Sequence, residues 1–254
     1  MRFSKWQALG NSYLVLEQPE AGELTAERVR RLCDFASGIG SDGVLEIVGH
    51  DDRRAEIVIW NPDGSVAEMS GNGVRIAARW LAAATGERDV TIVTADREIE
   101  ARMLDGLDTF TDMGEVSVGE PETIDAGETI ELTSAVVGNP HAVIRRDTLE
   151  RSDLLRIGPL VETHPRFPQR TNVQLVHVDG SHDLSVLVWE RGAGETTASG
   201  SSSVAAAAVA VARGWCESPV IVHLPGGDLV VEVADGRASL TGPAEEMYRG
   251  TTPL

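Results

Sequence analysis

The sequence predicts a mixed α/β (α+β) fold of two pseudo-symmetric domains, because one succession of strand, turn and helix occurs twice. The first copy, residues 55–81, reads AEIVIWNPDGSVAEMSGNGVRIAARWL, and the second, residues 184–212, reads LSVLVWERGAGETTASGSSSVAAAAVAVA. Each copy has a β-branched strand, a glycine-rich turn and an alanine-rich helix that begins after Ser-Gly. Ser70 and Ser199 therefore occupy equivalent positions at the starts of two helices.

The repeat extends beyond these two blocks, at offsets of 128 to 130 residues. ALGNSYLVL at 8–16 matches VVGNPHAVI at 136–144, and SDGVLEIV at 41–48 matches TNVQLVHV at 171–178. Gly-Asn turns and alanine-rich helices are common and align by chance, but chance matches would not keep one order at a nearly constant offset. We therefore expect two homologous halves.

The first half is predicted to span residues 1–115, with the tail 245–254 returning to it. The glycine pattern at 38–43, GIGSDG, follows a helix and precedes a strand, which is the reverse of a dinucleotide-binding motif. The predicted elements are two strands within 1–17, a helix over 25–37 capped by Thr25, strands over 43–48 and 55–60, the first repeated helix to Thr85-Gly86, and strands over 89–94, 97–104 and 108–113.

The second half is predicted to span residues 116–244. Residues 115–128, EVSVGEPETIDAGE, are acidic and show little periodicity, so we expect the linker between the domains there. The predicted elements are strands over 130–136 and 141–145, a helix over 148–157, a loop over 163–172, strands over 173–178 and 184–189, the second repeated helix to Arg213-Gly214, and a hairpin of 219–223 with 228–233.

Composition narrows the classes of partner. The net charge of −18 argues against nucleic acid and anionic membranes as partners. The N-terminus lacks the apolar core of a signal peptide, and no run of 18 apolar residues occurs, so we expect a cytoplasmic protein. Cys33 and Cys216 have no metal or redox spacing, and Cys33 fits the core of an amphipathic helix. Lys5, the sole lysine, lies on the first strand, which argues against a pyridoxal enzyme.

The repeat itself indicates a type of chemistry. Ligands commonly bind between domains, and the start of a helix suits an anion such as a carboxylate. Two equivalent groups on opposite sides of one carbon acid can remove a proton from one face and return one to the other. That reaction is a racemisation or epimerisation, and it requires no metal or cofactor. The plainer interpretation is that Ser70 and Ser199 are only helix N-caps.

Seven motifs along nearly the whole chain resemble those of the diaminopimelate epimerases, a family of racemases and epimerases that work without pyridoxal phosphate. The motifs are LGNSY (9–13), NPDGS (61–65), SGNGVR (70–75), GNPH (138–141), RTNV (170–173), WERGAGET (189–196) and LTGPAE (240–245). The resemblance implies two domains, each a barrel-like sheet around a central helix, with the substrate in the cleft between them.

The resemblance places Ser70 and Ser199 where the family has two catalytic cysteines, one a thiolate base and the other a thiol acid. Serine is a much weaker acid, so it needs a neighbouring base, and His141 and Glu190 are the candidates for that role. Three explanations stay open. The serines work slowly or on a more acidic substrate, the protein has become a binder, or an engineered replacement traps substrate. Ser12 stands where the family usually has aspartate.

The resemblance also implies a set of substrate-binding residues. Glu190 suits a distal ammonium, and Arg191 suits a two-point grip on a distal carboxylate. Each asparagine alone is more often structural in a turn, and a single histidine is more often simply packed. The implied binding set is Asn11, Asn61, Gly71, Asn72, Asn139, Asn172, Arg191, Gly200 and Ser201.

The leading functional prediction is an isomerase of lysine biosynthesis that converts LL-diaminopimelate to meso-diaminopimelate without a cofactor. Two alternatives stay open: a racemase or lyase-type relative for another amino acid, and a catalytically silent amino-acid-binding protein. The expected partner is a small amino-acid substrate, with a homodimer as a candidate assembly.

Overall fold

The computed structural model describes residues 1–95 and 97–254, which form two compact units. The first unit is Met1–Asp112 with Thr241–Leu254, and the second is Met113–Leu240. Each unit combines many strands with few helices, so the predicted mixed α/β class is confirmed.

The elements are numbered in chain order. The first are β1 (Arg2–Ala8), β2 (Asn11–Glu17), α1 (Gln18–Ala21), α2 (Ala26–Cys33), β3 (Val44–His50), β4 (Arg54–Trp60), β5 (Val66–Ala67), α3 (Gly71–Thr85), β6 (Asp89–Val93), β7 (Glu98–Met103) and β8 (Asp108–Glu115). The others are β9 (Ser117–Asp125), β10 (Thr129–Val136), β11 (Pro140–Arg145), α4 (Arg151–Glu162), β12 (Asn172–Val178), β13 (Asp183–Glu190), β14 (Gly194–Thr196), α5 (Gly200–Ala212), β15 (Val220–Leu224), β16 (Gly227–Ala234), β17 (Arg237–Pro243) and β18 (Glu245–Thr251).

The two units repeat one pattern of strand pairing. In the first unit β18 pairs antiparallel with β1, β1 with β2, β3 with β4 and β6 with β7, while β2 is parallel to β3 and β4 to β6. In the second unit β9–β10, β10–β11, β12–β13 and β15–β16 are antiparallel, while β11–β12 and β13–β15 are parallel. Corresponding strands have the same partners and directions, which confirms the repeat seen in the sequence.

Each unit wraps its sheet around one helix. Strands β1, β3, β4, β6 and β7 contact α3, and strands β10, β11, β12, β13 and β16 contact α5. Residues 202–210 of helix α5 are all buried, and most of them are alanine or valine, which present apolar side chains to the sheet. Small side chains also let the strands come close to the helix axis. The first turn of each central helix carries backbone N–H groups that have no partner within the helix.

The predicted linker at 115–128 is wrong, because this segment contains strand β9, which pairs with β10. Only Ile124 and Ala126 of its second half are buried, so the segment carries little hydrophobic periodicity. Its backbone hydrogen bonds to β10, and not its side chains, make it a strand. The sequence pattern alone gives no sign of that long-range pairing.

Two helices end elsewhere than predicted. Helix α2 stops at Cys33 instead of residue 37, because the Asp34 side chain accepts hydrogen bonds from the backbone of Ala36 and Ser37 and turns the chain. Helix α4 runs to Glu162 instead of residue 157, because Val161 still packs in the core beyond Pro159. Within residues 1–95 and 97–254, no helix is long and apolar enough to cross a membrane.

We predict that Gly43→Ala destabilises the first unit. A Cβ at Gly43 would lie 2.6 Å from both the Trp60 carbonyl oxygen and the Tyr13 ring. The backbone of β4 would have to move, at a cost of about 1–3 kcal/mol in the free energy of unfolding. Urea denaturation measures this change. Gly49→Ala is the matched control, because nothing lies within 4 Å of its Cβ, and it should change the free energy by no more than about 0.5 kcal/mol. Equal stability of the two variants would contradict the prediction.

Candidate functional site

Ser70 lies at the start of α3 and acts as its N-cap. Its hydroxyl oxygen accepts a hydrogen bond from Gly73 N at 3.0 Å, as the N-cap interpretation predicts. The same hydroxyl lies 3.1 Å from the Tyr13 hydroxyl, and either group can be the donor. A phenol is therefore in direct contact with the first predicted catalytic serine.

Asn72, in the first turn of α3, is held by a buried guanidinium. Arg75 donates from Nη2 to Asn72 Oδ1 at 2.7 Å and also contacts the carbonyl oxygens of Gly71 and Pro243. Burial lowers the pKa of the Arg75 guanidinium to about 10, which leaves it charged at neutral pH. The amide nitrogen of Asn72 lies 3.4 Å from Asn11 Oδ1, so the structure brings Asn11, Gly71 and Asn72 together near Ser70.

Asn61 follows β4 and opens the NPDGS turn. Its Nδ2 donates to Ser65 Oγ at 2.9 Å, and its backbone N–H donates to Ser65 O at 2.8 Å. The sequence left Asn61 either a substrate-binding role or a structural role in a turn, and these two hydrogen bonds are of the structural kind. Ser12, in the LGNSY motif, donates to Asp42 Oδ2 from its backbone N–H at 2.8 Å and from its hydroxyl at 2.9 Å. The Asp42 carboxylate therefore lies beside the LGNSY turn.

Ser199 occupies the N-cap position of α5, but its side chain does not cap the helix. Its side chain instead interacts with the carboxyl group of Glu190, at the end of β13. Burial raises the pKa of the Glu190 carboxyl, and the bond from Ser199 opposes that rise. A carboxylate whose pKa is raised toward neutrality is a better proton acceptor than an ordinary one. Gly200 and Ser201 form the first turn beside this pair.

His141 is fully buried on β11, and both of its ring nitrogens have partners in the second unit. Its Nε2 lies 2.7 Å from Asn139 Oδ1, and its Nδ1 lies 3.1 Å from Gln174 Nε2. Burial, followed by the nearby charge of Arg191, lowers the pKa of the imidazole to about 3. The ring is therefore neutral at physiological pH, and neither nitrogen contacts Ser199.

The loop after β13 carries Glu190 and Arg191 and is tied to its surroundings by two side chains. Asn172 accepts a hydrogen bond from Arg191 N at 2.9 Å and donates to Pro140 O at 3.1 Å. Glu162, only 4% exposed, accepts from Trp189 Nε1 and Gly192 N, both at 2.7 Å. Arg170 completes this cluster with an ion pair to Glu162 at 2.6 Å.

The structure thus assembles two groups, one in each unit. The first joins Asn11, Ser70, Gly71 and Asn72, and the second joins Asn139, His141, Asn172, Glu190, Arg191, Ser199, Gly200 and Ser201. Sequence reasoning missed five residues that hold these groups: Tyr13, Arg75, Glu162, Gln174 and Ser202. Tyr13 and Arg75 do lie inside the LGNSY and SGNGVR motifs, so their positions carried a signal. Glu162, Gln174 and Ser202 carried none, because polar residues in a helix or strand look solvent-facing in a sequence.

Solved structures share this fold at low sequence identity. A protein described as a predicted epimerase from Pseudomonas aeruginosa is 17% identical and matches with a TM-score of 0.75 over 100% of this chain and 99% of the other. A hydroxyproline epimerase from Agrobacterium vitis is 16% identical, with a TM-score of 0.71 over 98% of this chain and 90% of the other. The fold is therefore one that amino-acid epimerases use.

Sequence similarity identifies the family within this class. The family model for diaminopimelate epimerase matches residues 3–119 and 133–247. Diaminopimelate epimerase 2 of Nostoc sp. PCC 7120 is 37% identical over 98% of this chain and 95% of its own length, and the diaminopimelate epimerase of Pseudomonas syringae pv. tomato is 35% identical over 100% and 99%. The chain belongs to the diaminopimelate epimerase family, whose members are isomerases that work without pyridoxal phosphate.

We predict that His141 makes the protein less stable in acid. The pKa of the His141 imidazole is about 6.5 in the unfolded chain and about 3 in the folded protein. Between these two pH values only the unfolded chain binds a proton at this ring, so the free energy of unfolding falls as the pH falls through that range. His141→Gln removes this titrating group. The free energy of unfolding of the wild type, relative to that of the variant, should therefore fall by about 2 kcal/mol between near neutral pH and about pH 5. Urea unfolding at both pH values measures it.

His223→Gln is the control of opposite sign. The hydrogen bond to Asp228 raises the pKa of His223, so this histidine stabilises the fold most at low pH, and its effect is lost as the pH rises. The His223 variant should therefore be more damaging in acid than at neutral pH. The same pH trend for both variants would contradict the assignment of His141 as a buried neutral ring.

We predict that Glu162→Gln loosens the loop that carries Glu190 and Arg191. The variant lacks the charge that attracts Arg170 and Gly192 N, so hydrogen exchange at the Gly192 amide should become at least about tenfold faster. Glu46→Gln is the matched control, because Glu46 is equally buried and accepts from Trp60 Nε1 at 2.9 Å in the other unit. Unchanged protection of Gly192 in the Glu162 variant would show that the carboxylate does not hold this loop.

Proposed function

We propose that this protein epimerises LL-diaminopimelate to meso-diaminopimelate in lysine biosynthesis. The observation that carries the proposal is the match to diaminopimelate epimerases, which spans both halves and essentially the full length of each chain. The residues at the two helix starts fit the same chemistry, because each holds a hydroxyl beside a second proton-carrying group. No sequence feature or contact favours a lyase-type reaction or a different amino acid.

The reaction requires that one C–H bond at the α-carbon breaks and another forms on the opposite face. In this proposal one serine group takes the α-proton, the electron pair stays on the carbanion next to the α-carboxylate, and the other group delivers a proton. Ser199 can pass a proton to Glu190, whose raised pKa suits it as a base. Ser70 can exchange a proton with Tyr13, because the two hydroxyls lie 3.1 Å apart and either can be the donor.

The substrate has two charged ends, and the residues of the motifs divide between them in this proposal. The first turns of α3 and α5, with Gly71, Asn72, Gly200 and Ser201, present N–H groups to the carboxylate at the reacting carbon. The residues proposed to bind the distal end of the substrate are Asn61, Asn139, Asn172, Glu190 and Arg191. The Arg191 guanidinium suits the distal carboxylate because it can donate two parallel hydrogen bonds.

Serine in both proton-transfer positions is expected to slow turnover. A hydroxyl is a far weaker acid than a thiol, so less of it is ionised and each proton transfer has a higher barrier. A homodimer and a cytoplasmic location stay predictions.

The test is proton NMR of LL-diaminopimelate with the protein in D2O, beside the double variant Ser70→Cys/Ser199→Cys. The wild type should exchange the α-proton slowly and form the meso isomer, and the double variant should be at least about a hundredfold faster. Ser181→Cys places a thiol on the exposed surface and should leave the rate at the wild-type level.

The other outcomes separate the alternative functions. Exchange without inversion would favour a lyase-type relative. Tight binding with no exchange in either protein would favour a silent binding protein. Neither binding nor exchange in both proteins would refute diaminopimelate as the substrate.

A further inference from the structure

The hydroxyl of Tyr13 is held against the hydroxyl of Ser70 by rigid parts of the first unit. Tyr13 lies on β2, where it pairs with Trp6 of β1, and β3 pairs with the other side of β2. The edge of the Tyr13 ring packs so closely on Gly43 that a Cβ at Gly43 would lie 2.6 Å from it. The phenol is only 6% exposed, so the core fixes both its backbone and its ring.

Ser70 is the more exposed member of this pair. Its side chain is half-buried, and its Oγ lies 3.1 Å from the Tyr13 hydroxyl. The same Oγ accepts a hydrogen bond from Gly73 N at 3.0 Å. A serine hydroxyl has one proton and two lone pairs, and Gly73 N occupies one of the lone pairs. One proton and one lone pair therefore remain for Tyr13 and for a substrate.

The pair has two arrangements, which differ in what Ser70 presents to a substrate. When Tyr13 donates to Ser70 Oγ, the serine proton is available and Ser70 can act as an acid. When the phenol is ionised, Ser70 donates to the phenolate oxygen, and its second lone pair is available to accept a proton. The hydrogen bond from Gly73 N is the same in both arrangements, so the backbone stays in place when one converts to the other.

We propose that Tyr13 is the proton partner of Ser70 in a relay, so that the negative charge rests on the phenol and the serine oxygen is never ionised. In the acid direction the Ser70 O–H bond breaks, and its proton forms a C–H bond with the electron pair of the carbanion. The Tyr13 proton moves to Ser70 Oγ at the same time and leaves a phenolate. The base direction is the exact reverse, and no other reactant takes part.

The relay explains how a serine can serve in this position. A phenol is a much stronger acid than an aliphatic hydroxyl, so the proton is supplied by the stronger acid and delivered by the more exposed group. The carbon acid at the end of the relay rests on the proposed function, but the proton shared between Tyr13 and Ser70 does not. Tyr13 acts only through Ser70, so its loss should lower the rate at saturating substrate and leave the affinity unchanged.

The relay is tested with the wild type, Tyr13→Phe, Ser70→Cys and Tyr13→Phe/Ser70→Cys. Phenylalanine keeps the ring in the core and removes only the hydroxyl. In the wild-type background Tyr13→Phe should slow the conversion of LL- to meso-diaminopimelate at saturating substrate by at least about thirtyfold, with the affinity within about threefold. A thiol is acidic enough to work alone, so in the Ser70→Cys background the same change should cost no more than about threefold.

Tyr248→Phe is the matched control for this cycle. Tyr248 is the other tyrosine of the chain, and its ring keeps its contacts with Phe3 and Lys5 without the hydroxyl. It should leave the rate within about twofold in both backgrounds. Equal losses from Tyr13→Phe in the two backgrounds would show that the phenol only packs, and a loss below about threefold in the wild type would likewise overturn the relay.

The shared proton is also measurable without a substrate. Protein that contains 3-fluorotyrosine and carries Tyr248→Phe has a single fluorine probe, at Tyr13. A hydrogen bond to a charged oxygen is stronger than one to a neutral hydroxyl, so Ser70→Ala should move the midpoint of the fluorine NMR pH titration upward by at least about half a pH unit. Thr25→Ala is the control, because it removes the N-cap of α2 in the same unit and should leave the midpoint unchanged.

The two experiments separate the relay from the proposed function. If the Ser70→Cys protein converts diaminopimelate and Ser70→Ala leaves the fluorine midpoint unmoved, the proposed function stands and the relay is overturned. If none of the four proteins converts diaminopimelate, the proposed function fails, and the fluorine titration alone decides whether Tyr13 and Ser70 share a proton.

Discussion

Enclosing one helix within each sheet is the constraint on which the rest of this structure depends. A helix surrounded by strands must carry small or apolar side chains, or polar ones with buried partners. Helix α5 meets this demand with alanine, valine and serine, and α3 buries Arg75 against Asn72 and two carbonyl oxygens. Polar groups that must meet a substrate are then confined to the first turn, where the backbone N–H groups have no partners within the helix. The candidate catalytic serines lie at that turn in both units because the fold leaves few other places for them.

The two helix starts are equivalent in topology and different in chemistry. Ser70 caps α3 and touches a phenol, while Ser199 leaves α5 uncapped and interacts with a carboxyl group. A hydroxyl that caps a helix is held as an acceptor, whereas one bonded to a carboxylate is held as a donor. The two halves of a duplicated fold therefore surround equivalent hydroxyls with different neighbours, a phenol in one and a carboxyl group in the other.

Both units also stabilise a buried carboxylate with a tryptophan. Glu46 accepts from Trp60 Nε1, and Glu162 accepts from Trp189 Nε1. The two tryptophans are repeats of each other, but Glu46 lies on β3 and Glu162 ends α4. A buried carboxylate is costly unless donors surround it, so each glutamate also fixes its neighbours. In the second unit the neighbours are Arg170 and Gly192, which places this carboxylate under the loop of Glu190 and Arg191.

The sequence by itself determined the duplication, the α/β class, the strand–turn–helix units and the family, because these depend on local periodicity and on motifs that are contiguous in the chain. It also placed the serines at helix starts, since Ser-Gly before an alanine-rich run is a local signal. Tertiary structure alone decided the contacts between distant residues. Strand β9 exists because β10 pairs with it, Ser199 meets Glu190 across a turn, and His141 is neutral because the fold buries it and brings the charge of Arg191 near it. These features depend on burial and on hydrogen bonds between distant parts of the chain, which no local pattern records.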